Sequence, residues 1–425
     1  MIFERSFYLQ RLVSKKWNGR IKIITGLRRC GKSYFLFKIF KEHLLSSGVS
    51  ADFIVELSLD SIENEHLRDP KALWKFLEQR VGDTNKKYYL LLDEIQFAIS
   101  KKELQNHDEP VRLYGVLNGL LQKGNIDIYV TGSNSKMLSH DVATEFRGRG
   151  DILSIYPLSF REFFGAFDGD REVAYETYAT FGGMPYVATL KNDEDKREYL
   201  LNLFEEIYFK DIEERYSLAY PAALGEITNA LCSAVGSLTN ASKIARTIQS
   251  LQRKKIGSET ISGYLNYLTD SFLFSKAYRY DVKGKKYFDF PLKYYATDVG
   301  LRNARLGFRD LEETHIMENI VYNELKVRGF SVDVGVVPVC ENGIDGKRHL
   351  KNCEIDFIAS KGIKKSYFQS AYSLNGDEKR NQEIRPLLSV KDFFEKTVIT
   401  RFGLKPWSDE RGVQYISLLD FLLSD

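Results

Sequence analysis

Two short stretches of this sequence hold residue types whose spacing suits a chain of phosphates. The first is Gly26-Leu27-Arg28-Arg29-Cys30-Gly31-Lys32-Ser33. Glycines at both ends of a four-residue spacer let backbone N–H groups turn inward around phosphate oxygens. The Lys32 ammonium then suits the β- and γ-phosphates, and the Ser33 hydroxyl suits a magnesium ion. The second is Asp93-Glu94, which ends an apolar run. Asp93 fits a place in the magnesium shell, and Glu94 fits the orientation or deprotonation of an attacking water. Arg28 and Arg29 are expected to face outward, with Cys30 as a small packing residue.

Three further residues are candidates for the same chemistry. Asn134, in Thr131-Gly-Ser-Asn134, offers an amide to hold the water, with Ser133 and Ser135 as rivals. Arg147 and Arg149, in Glu145-Phe-Arg-Gly-Arg-Gly150, offer a guanidinium to a γ-phosphate, in the same chain or in a neighbouring copy. The sequence does not choose between them. The plain alternatives are an ordinary loop asparagine, which turns favour, and solvated surface charge.

Elements must hold these groups in place. Arg20–Thr25 is a β-branched run that leads into the glycine loop, and Tyr34–Leu45 has helical spacing behind it. Phe53–Leu57, Lys87–Glu94, Asp127–Thr131 and Ile152–Tyr156 read as further strands. Phe7–Trp17, Pro70–Val81 and Leu113–Lys123 read as helices. This alternation predicts a doubly wound α/β domain ending near Phe164, with the chemistry at the carboxyl ends of its strands.

From Glu172 to about Leu231 the pattern is helical, broken at Gly182-Gly-Met-Pro185. Ser242–Ile248 and Ser258–Leu268 follow as two short helices. Phe272–Tyr280 and Lys286–Asp289 then flank the turn Val282-Lys-Gly-Lys285, a hairpin signal. Helix, turn, helix and hairpin outline a winged helix. Its cations are Lys243, Arg246, Arg253, Lys254 and Lys255, with Lys283, Lys285 and Lys286 in the wing. The second helix offers few side chains to read bases, so a DNA-contacting module and a packing lid both remain open. The last part reads as a helix (Glu313–Arg328), strands at Glu354–Ile358, Lys365–Gln369 and Thr397–Thr400, and a helical segment at Glu383–Ser389.

Composition excludes several classes. Lys plus Arg is 61 and Asp plus Glu is 58, so a net charge of +3 over 425 residues gives no overall case for nucleic-acid binding. The four cysteines stand in no C-x-x-C arrangement and only six histidines are present, which argues against a zinc site or a disulfide framework. Free thiols, an N-terminus without a signal-like apolar core and the absence of any long apolar stretch lead to the expectation of a cytoplasmic protein without a membrane span.

Five motifs in order carry a resemblance: Ile24-Thr-Gly-Leu-Arg-Arg-Cys-Gly-Lys-Ser33, Leu90-Leu-Leu-Asp-Glu-Ile-Gln96, Thr131-Gly-Ser-Asn134, Tyr156-Pro-Leu-Ser-Phe-Arg-Glu-Phe163 and Gly182-Gly-Met-Pro185. Together they resemble the AAA-family ATPases of bacteria and archaea that carry a C-terminal domain of unknown function. The resemblance covers essentially the whole chain. It implies an α/β fold with an ASCE-type P-loop ATPase domain over 1–165, a helical and winged-helix domain over 166–310, and an α/β restriction-endonuclease-like domain over 311–425. It also implies ATP and Mg2+ as ligands, with DNA, a protein partner and further copies of the chain as candidate partners. In the nuclease fold that the last domain resembles, Glu318 or Glu324 would be the helix carboxylate and Asp356 the strand carboxylate. Gln369-Ser-Ala371 stands where an E-x-K is expected, which predicts a domain that does not cut DNA.

Overall fold

The computed structural model describes residues 3–100, 102–103, 111–133, 150–216, 218–252, 256–309, 311–342, 348–403 and 405–424. Two compact units emerge. One comprises Ile2–Pro157 with the short stretch Asp270–Phe272, and the other Leu158–Thr269 with Leu273–Asp425.

The first unit is built on five strands: β1 (Ile21–Thr25), β2 (Ile54–Ser58), β3 (Tyr88–Asp93), β4 (Ile126–Gly132) and β5 (Gly150–Ser154). Their order is β2-β3-β4-β1-β5, and every pairing is parallel. A strand thus stands between the one that feeds the glycine loop and the one that ends in Asp93, as an ASCE-type core requires. Helices Pro70–Arg80 and Arg112–Gln122 cover one face. Leu73, Leu77, Leu113 and Leu117 pack there against Leu90, Leu92, Ile128 and Val130. A sheet covered on both faces calls for continuous apolar strands, and β3 is buried along its whole length. The expected N-terminal helix is shorter than its pattern, Ser6–Val13, and Trp17 turns the chain with a φ of +57°.

One polar network interrupts this core. The Lys22 ammonium and the Asp127 carboxylate form a buried ion pair. Asp127 also accepts hydrogen bonds from the Trp17 amide (2.9 Å) and the Tyr129 hydroxyl (2.7 Å). Extra hydrogen bonds of this kind are what make a buried pair tolerable.

The second unit contains an eight-stranded mixed sheet: β6 (Phe274–Asp281), β7 (Lys286–Ala296), β8 (Ser331–Asn342), β9 (Arg348–Lys361), β10 (Lys364–Ala371), β11 (Glu395–Thr400), β12 (Trp407–Ser408) and β13 (Val413–Ser417). The order is β12-β13-β11-β10-β9-β8-β6-β7. Helix Pro221–Ser233, the single bridge Thr239 to Leu292, helices Ala241–Gln252 and Ser258–Asp270, and hairpin β6–β7 follow the element order of a winged helix. The hairpin is not confined to that module. β6 pairs in parallel with β8 at Arg279–Val334, Tyr280–Gly335 and Asp281–Val336, so the expected wing belongs to the C-terminal sheet. The 310/311 division therefore falls within elements that share one sheet. The short helix Phe160–Phe164, expected to end the ATPase domain, groups with the second unit.

The Gly182-Gly-Met-Pro185 break has a packing cause. Gly182 adopts a φ of +73°, and a Cβ there would lie 2.1 Å from the Asp298 carboxylate. That carboxylate caps helix Val299–Arg305 through the Leu301 amide (3.0 Å) and also accepts the Gly183 amide (2.7 Å). Burial pushes the Asp298 carboxyl up to about 6, although these amides favour its charged form. A carboxyl raised on folding stabilises the native state most when protonated, and the benefit is lost as pH rises through the folded value. Replacing Asp298 by Asn removes the titration and keeps one acceptor. Chemical unfolding of wild type and Asp298→Asn from pH 4 to 7 is expected to show wild type losing about 2–3 kcal/mol relative to the variant over that range. A pH-independent difference would contradict the assignment.

Candidate functional site

The sheet register brings the catalytic candidates to one edge. β2 pairs Ser58 with Asp93, β3 pairs Leu92 with Val130, and β4 pairs Thr131 with Ile24, so Ser58, Asp93 and Thr131 lie abreast at the carboxyl ends of their strands. The glycine loop leaves the same edge from Thr25. Gly26 has a φ of +146°, and a Cβ on it would come within 2.0 Å of the Ile155 carbonyl oxygen, so only glycine fits. Arg29 and Gly31 also take positive φ, at +65° and +98°. Arg28 is half-buried, Arg29 is exposed, and Cys30 is buried against the Ile155 carbonyl at 3.4 Å. Burial raises the Cys30 thiol above its ordinary range.

Arg5 secures the loop from behind. Its buried guanidinium donates to the Cys30 carbonyl (3.0 Å) and the Tyr156 carbonyl (2.8 Å). Nothing in the local pattern of Arg5 signals this role, because its partners are main-chain atoms remote in sequence. The helix behind the loop begins at Lys32 and runs through three consecutive pieces, Lys32–Tyr34, Phe35–Phe40 and Lys41–Ser46, the middle one being π-helical. The Lys32 ammonium is buried and donates to the Gly26 and Leu27 carbonyls, each at 3.1 Å.

Asp93 is buried, its carboxylate accepts a hydrogen bond from the Thr131 hydroxyl, and the Ser33 hydroxyl nearby favours its charged form. Ser58 Oγ lies 3.5 Å away. Burial lifts the Asp93 carboxyl above its usual range, and the neighbouring Glu94 adds to the rise. The donor set is a carboxylate and a neighbouring hydroxyl, which suits a hard cation with oxygen ligands. Ser33 and Asp93 are thus the residues that would hold magnesium.

Glu94 stands in the left-handed region, φ 51° and ψ 52°, a costly conformation for a residue with a Cβ. Its amide donates to Thr131 Oγ1 at 2.9 Å. Its carboxylate accepts from the Gln96 side-chain amide, and Ser133 Oγ lies 3.4 Å from the same oxygen. Strand alternation alone would point Asp93 and Glu94 to opposite faces. The left-handed turn lets both face the loop. Lys32, Ser33, Asp93, Glu94 and Ser133 therefore gather at one edge. Asn134, Ser135, Arg147 and Arg149 lie outside the described residues. Thr131 and Gln96 are partners that motif reading quoted without assigning a role.

A second group of charged side chains occupies the other unit. Lys293, on β7, sets its ammonium 2.9 Å from Glu318 and 2.6 Å from Glu354, and Tyr295 Oη donates to Glu318 at 2.6 Å. The buried Asp356 carboxyl accepts the Ser370 amide at 2.8 Å and is held well above its ordinary range by burial and by Glu318. Of the two helix carboxylates considered, Glu318 joins this group, while Glu324 pairs instead with Arg328 at 2.8 Å. Gln369 turns its amide to Glu383 (3.2 Å). Lys365 lies over the Tyr280, Tyr367 and Phe394 rings rather than at the carboxylates. Tyr367 is fully buried in the core. Lys293 was not foreseen, since it sits on the hairpin and meets these residues only in three dimensions. On the hairpin turn Lys283, Lys285 and Lys286 are exposed, as are Lys243 and Arg246 on the preceding helix. Arg253, Lys254 and Lys255 lie outside the described residues. No helix among the described residues is long and apolar enough to cross a membrane.

Comparison with known proteins identifies two matched regions of the chain. Residues 18–164 match the family model described as an AAA domain, and residues 172–312 match a domain of unknown function (DUF8612). An uncharacterized protein of Haemophilus influenzae is 34% identical over 99% of this chain and 99% of its own length. A second, from Methanocaldococcus jannaschii, is 29% identical over 88% of this chain and 79% of its length. Among solved structures, AMPPCP-bound DnaA from Aquifex aeolicus aligns at 16% identity over 63% of this chain and 89% of that chain, with a TM-score of 0.32, a likeness too loose to bear on function. With its P-loop unit matched by the AAA-domain model and its full length shared with the Haemophilus protein, the chain belongs to the AAA family of P-loop ATPases.

Proposed function

We propose that this chain is a magnesium-dependent ATPase that acts as a switch or remodeller, with the winged-helix and nuclease-like parts as its output. The observation that carries this reading is the convergence at one strand edge of the buried Lys32 ammonium of the P-loop with Asp93 and Glu94, both held by the Thr131 hydroxyl. On ATP binding, the Lys32 ammonium exchanges the Gly26 and Leu27 carbonyls for β- and γ-phosphate oxygens. Magnesium, when bound, supplies positive charge to those oxygens. Glu94 accepts a proton from a water whose oxygen attacks the γ-phosphorus. The bond to the β,γ-bridging oxygen breaks, leaving ADP and inorganic phosphate. Asn134 is a further candidate for holding that water. Arg147 or Arg149 would meet the γ-phosphate, across a subunit boundary if the chain forms homo-oligomers. A three-part division, with hairpin β6–β7 shared between the second and third parts, and a cytoplasmic location belong to this proposal.

A second reading, an ATP-gated DNA-binding protein, rests on the exposed lysines of the hairpin turn. The nuclease-like part is proposed to be silent. Lys293 already engages both Glu318 and Glu354, burial and Glu318 push Asp356 toward its protonated form, and Gln369 contributes no negative oxygen, so few free anionic ligands remain for a hard cation.

Three measurements test these readings. Lys32→Ala is expected to abolish ATP binding by calorimetry, whereas Glu94→Gln keeps the affinity and lowers kcat by about 10²- to 10⁴-fold. Wild-type turnover in Glu94→Gln would remove that residue from the mechanism. Charge reversal at Lys283, Lys285 and Lys286 is expected to weaken duplex DNA binding and to reduce the slope of log affinity against log salt by about 2–3. If wild type shows no salt-sensitive binding, the hairpin only packs. Plasmid and single-stranded DNA are expected to stay intact with magnesium or manganese. Cleavage that is lost in Asp356→Ala, with ATPase activity retained, would show an active nuclease instead.

A further inference from the structure

Glu94 does not stand alone at the sheet edge. The chain turns there through a short 3-10 segment, Ile95–Ala98, anchored by the buried Ile95 and Ala98. Between those anchors, Gln96 swings its side chain back over Glu94. Its Nε2 donates to Glu94 Oε2 and lies 3.4 Å from Ser133 Oγ, which reaches the same carboxylate oxygen at the same distance. Two donors therefore converge on Oε2.

The other end of the amide is unusual. Gln96 Oε1 is buried and accepts no hydrogen bond among the described residues. An amide can be turned over to exchange its oxygen and nitrogen, but here that would aim a carbonyl oxygen at a carboxylate, lone pair against lone pair. The orientation is thus fixed by Glu94 itself. An unmatched buried acceptor costs stability. It sits two residues from a side-chain-bearing residue in the left-handed region, which also costs stability. Two unfavourable features side by side at a proposed reaction centre indicate a site organised around a further ligand rather than around its own stability.

We propose that Gln96 is a positioning residue for hydrolysis: its Nε2 fixes the Glu94 carboxylate, and its Oε1 accepts one O–H of the attacking water while Glu94 Oε1 accepts the other. A water has two O–H groups to donate, and these two acceptors use both. Its lone pairs are then left for the phosphorus. The step balances as before: the O–H directed at Glu94 gives up its proton to the carboxylate, the O–H on Gln96 stays with the oxygen, and that oxygen forms the new bond to phosphorus. Gln96 exchanges no proton. This rests on the ATPase reading above and adds to it a residue that orients the base and the nucleophile together.

The test is steady-state ATP hydrolysis by the full chain with magnesium, alongside nucleotide affinity and thermal melting. Gln96→Leu keeps the bulk and removes both polar ends. It is expected to lower kcat by about 10- to 10³-fold, as loss of one preorganised hydrogen bond at a reacting group does, with affinity changed less than about threefold. Added to Glu94→Gln, the Gln96→Leu change is expected to bring little further loss, because Gln96 acts through that carboxylate. Gln96→Glu sets a second carboxylate against the base and is expected to move the acidic limb of kcat to higher pH, a change that packing alone would not produce. If Glu94→Gln abolishes turnover while Gln96→Leu retains wild-type kcat, the Gln96 assignment is overturned and the ATPase reading stands. If Glu94→Gln hydrolyses ATP normally, that reading falls and takes Gln96 with it. Should Gln96→Leu unfold, the pH profile of Gln96→Glu decides, and an unshifted limb overturns the proposal.

Discussion

A single hydroxyl ties the nucleotide edge together. Thr131 Oγ1 donates to the Asp93 carboxylate and accepts the Glu94 amide, so one side chain on β4 holds two adjacent residues at the end of β3. The arrangement is available because β4 pairs directly with β3, which sets Thr131 abreast of the end of β3. The hydroxyl also makes the left-handed turn at Glu94 worthwhile, since the amide freed by that turn finds a partner immediately. The Ser33 hydroxyl stands nearby on the P-loop side and favours the charged form of Asp93. Strand pairing, backbone conformation and the placing of the two carboxylates are in this way consequences of one another.

Much of this was legible beforehand, for physical reasons that can be named. β1 and β3 are apolar runs because both faces of the sheet are covered, and each ends in polar residues where the cover stops. Gly26, Gly31, Lys32 and Ser33 are legible because backbone approach and phosphate charge leave few other residue types for those positions. Other parts were hidden. β8 contains Gly335 and Pro338, which break the appearance of a strand, yet Gly335 is there because a Cβ would come 2.9 Å from Ile355. The Asp298 cap and the Gly182–Gly183 break explain each other, but they stand more than a hundred residues apart. The role of Arg5 depends on carbonyl oxygens, which have no sequence signature.

The Lys293 group illustrates a different limit. A motif reader looks for a lysine two positions after an acidic residue on β10 and finds Ala371. The fold instead delivers an ammonium from a strand two places along the sheet order from β8, bonded to a helix carboxylate and to Glu354. With Tyr295 also donating to Glu318, the carboxylate oxygens of this region are engaged by protein donors. The buried Asp356, held protonated over a wider pH range than an exposed carboxyl, belongs to the same pattern.

The sheet membership of hairpin β6–β7 has a mechanical side. A wing attached only to its own helices can pivot and adapt, and it loses that freedom when it grips a partner. Here β6 is laced to β8, so the turn at Val282–Lys285 is presented by a stiff slab of strands. Contact made by its lysines therefore starts from an already ordered surface, with little configurational entropy left to lose. A force applied at that turn is carried as shear along backbone hydrogen bonds into β8 and β9, the strand that bears Glu354 and Asp356.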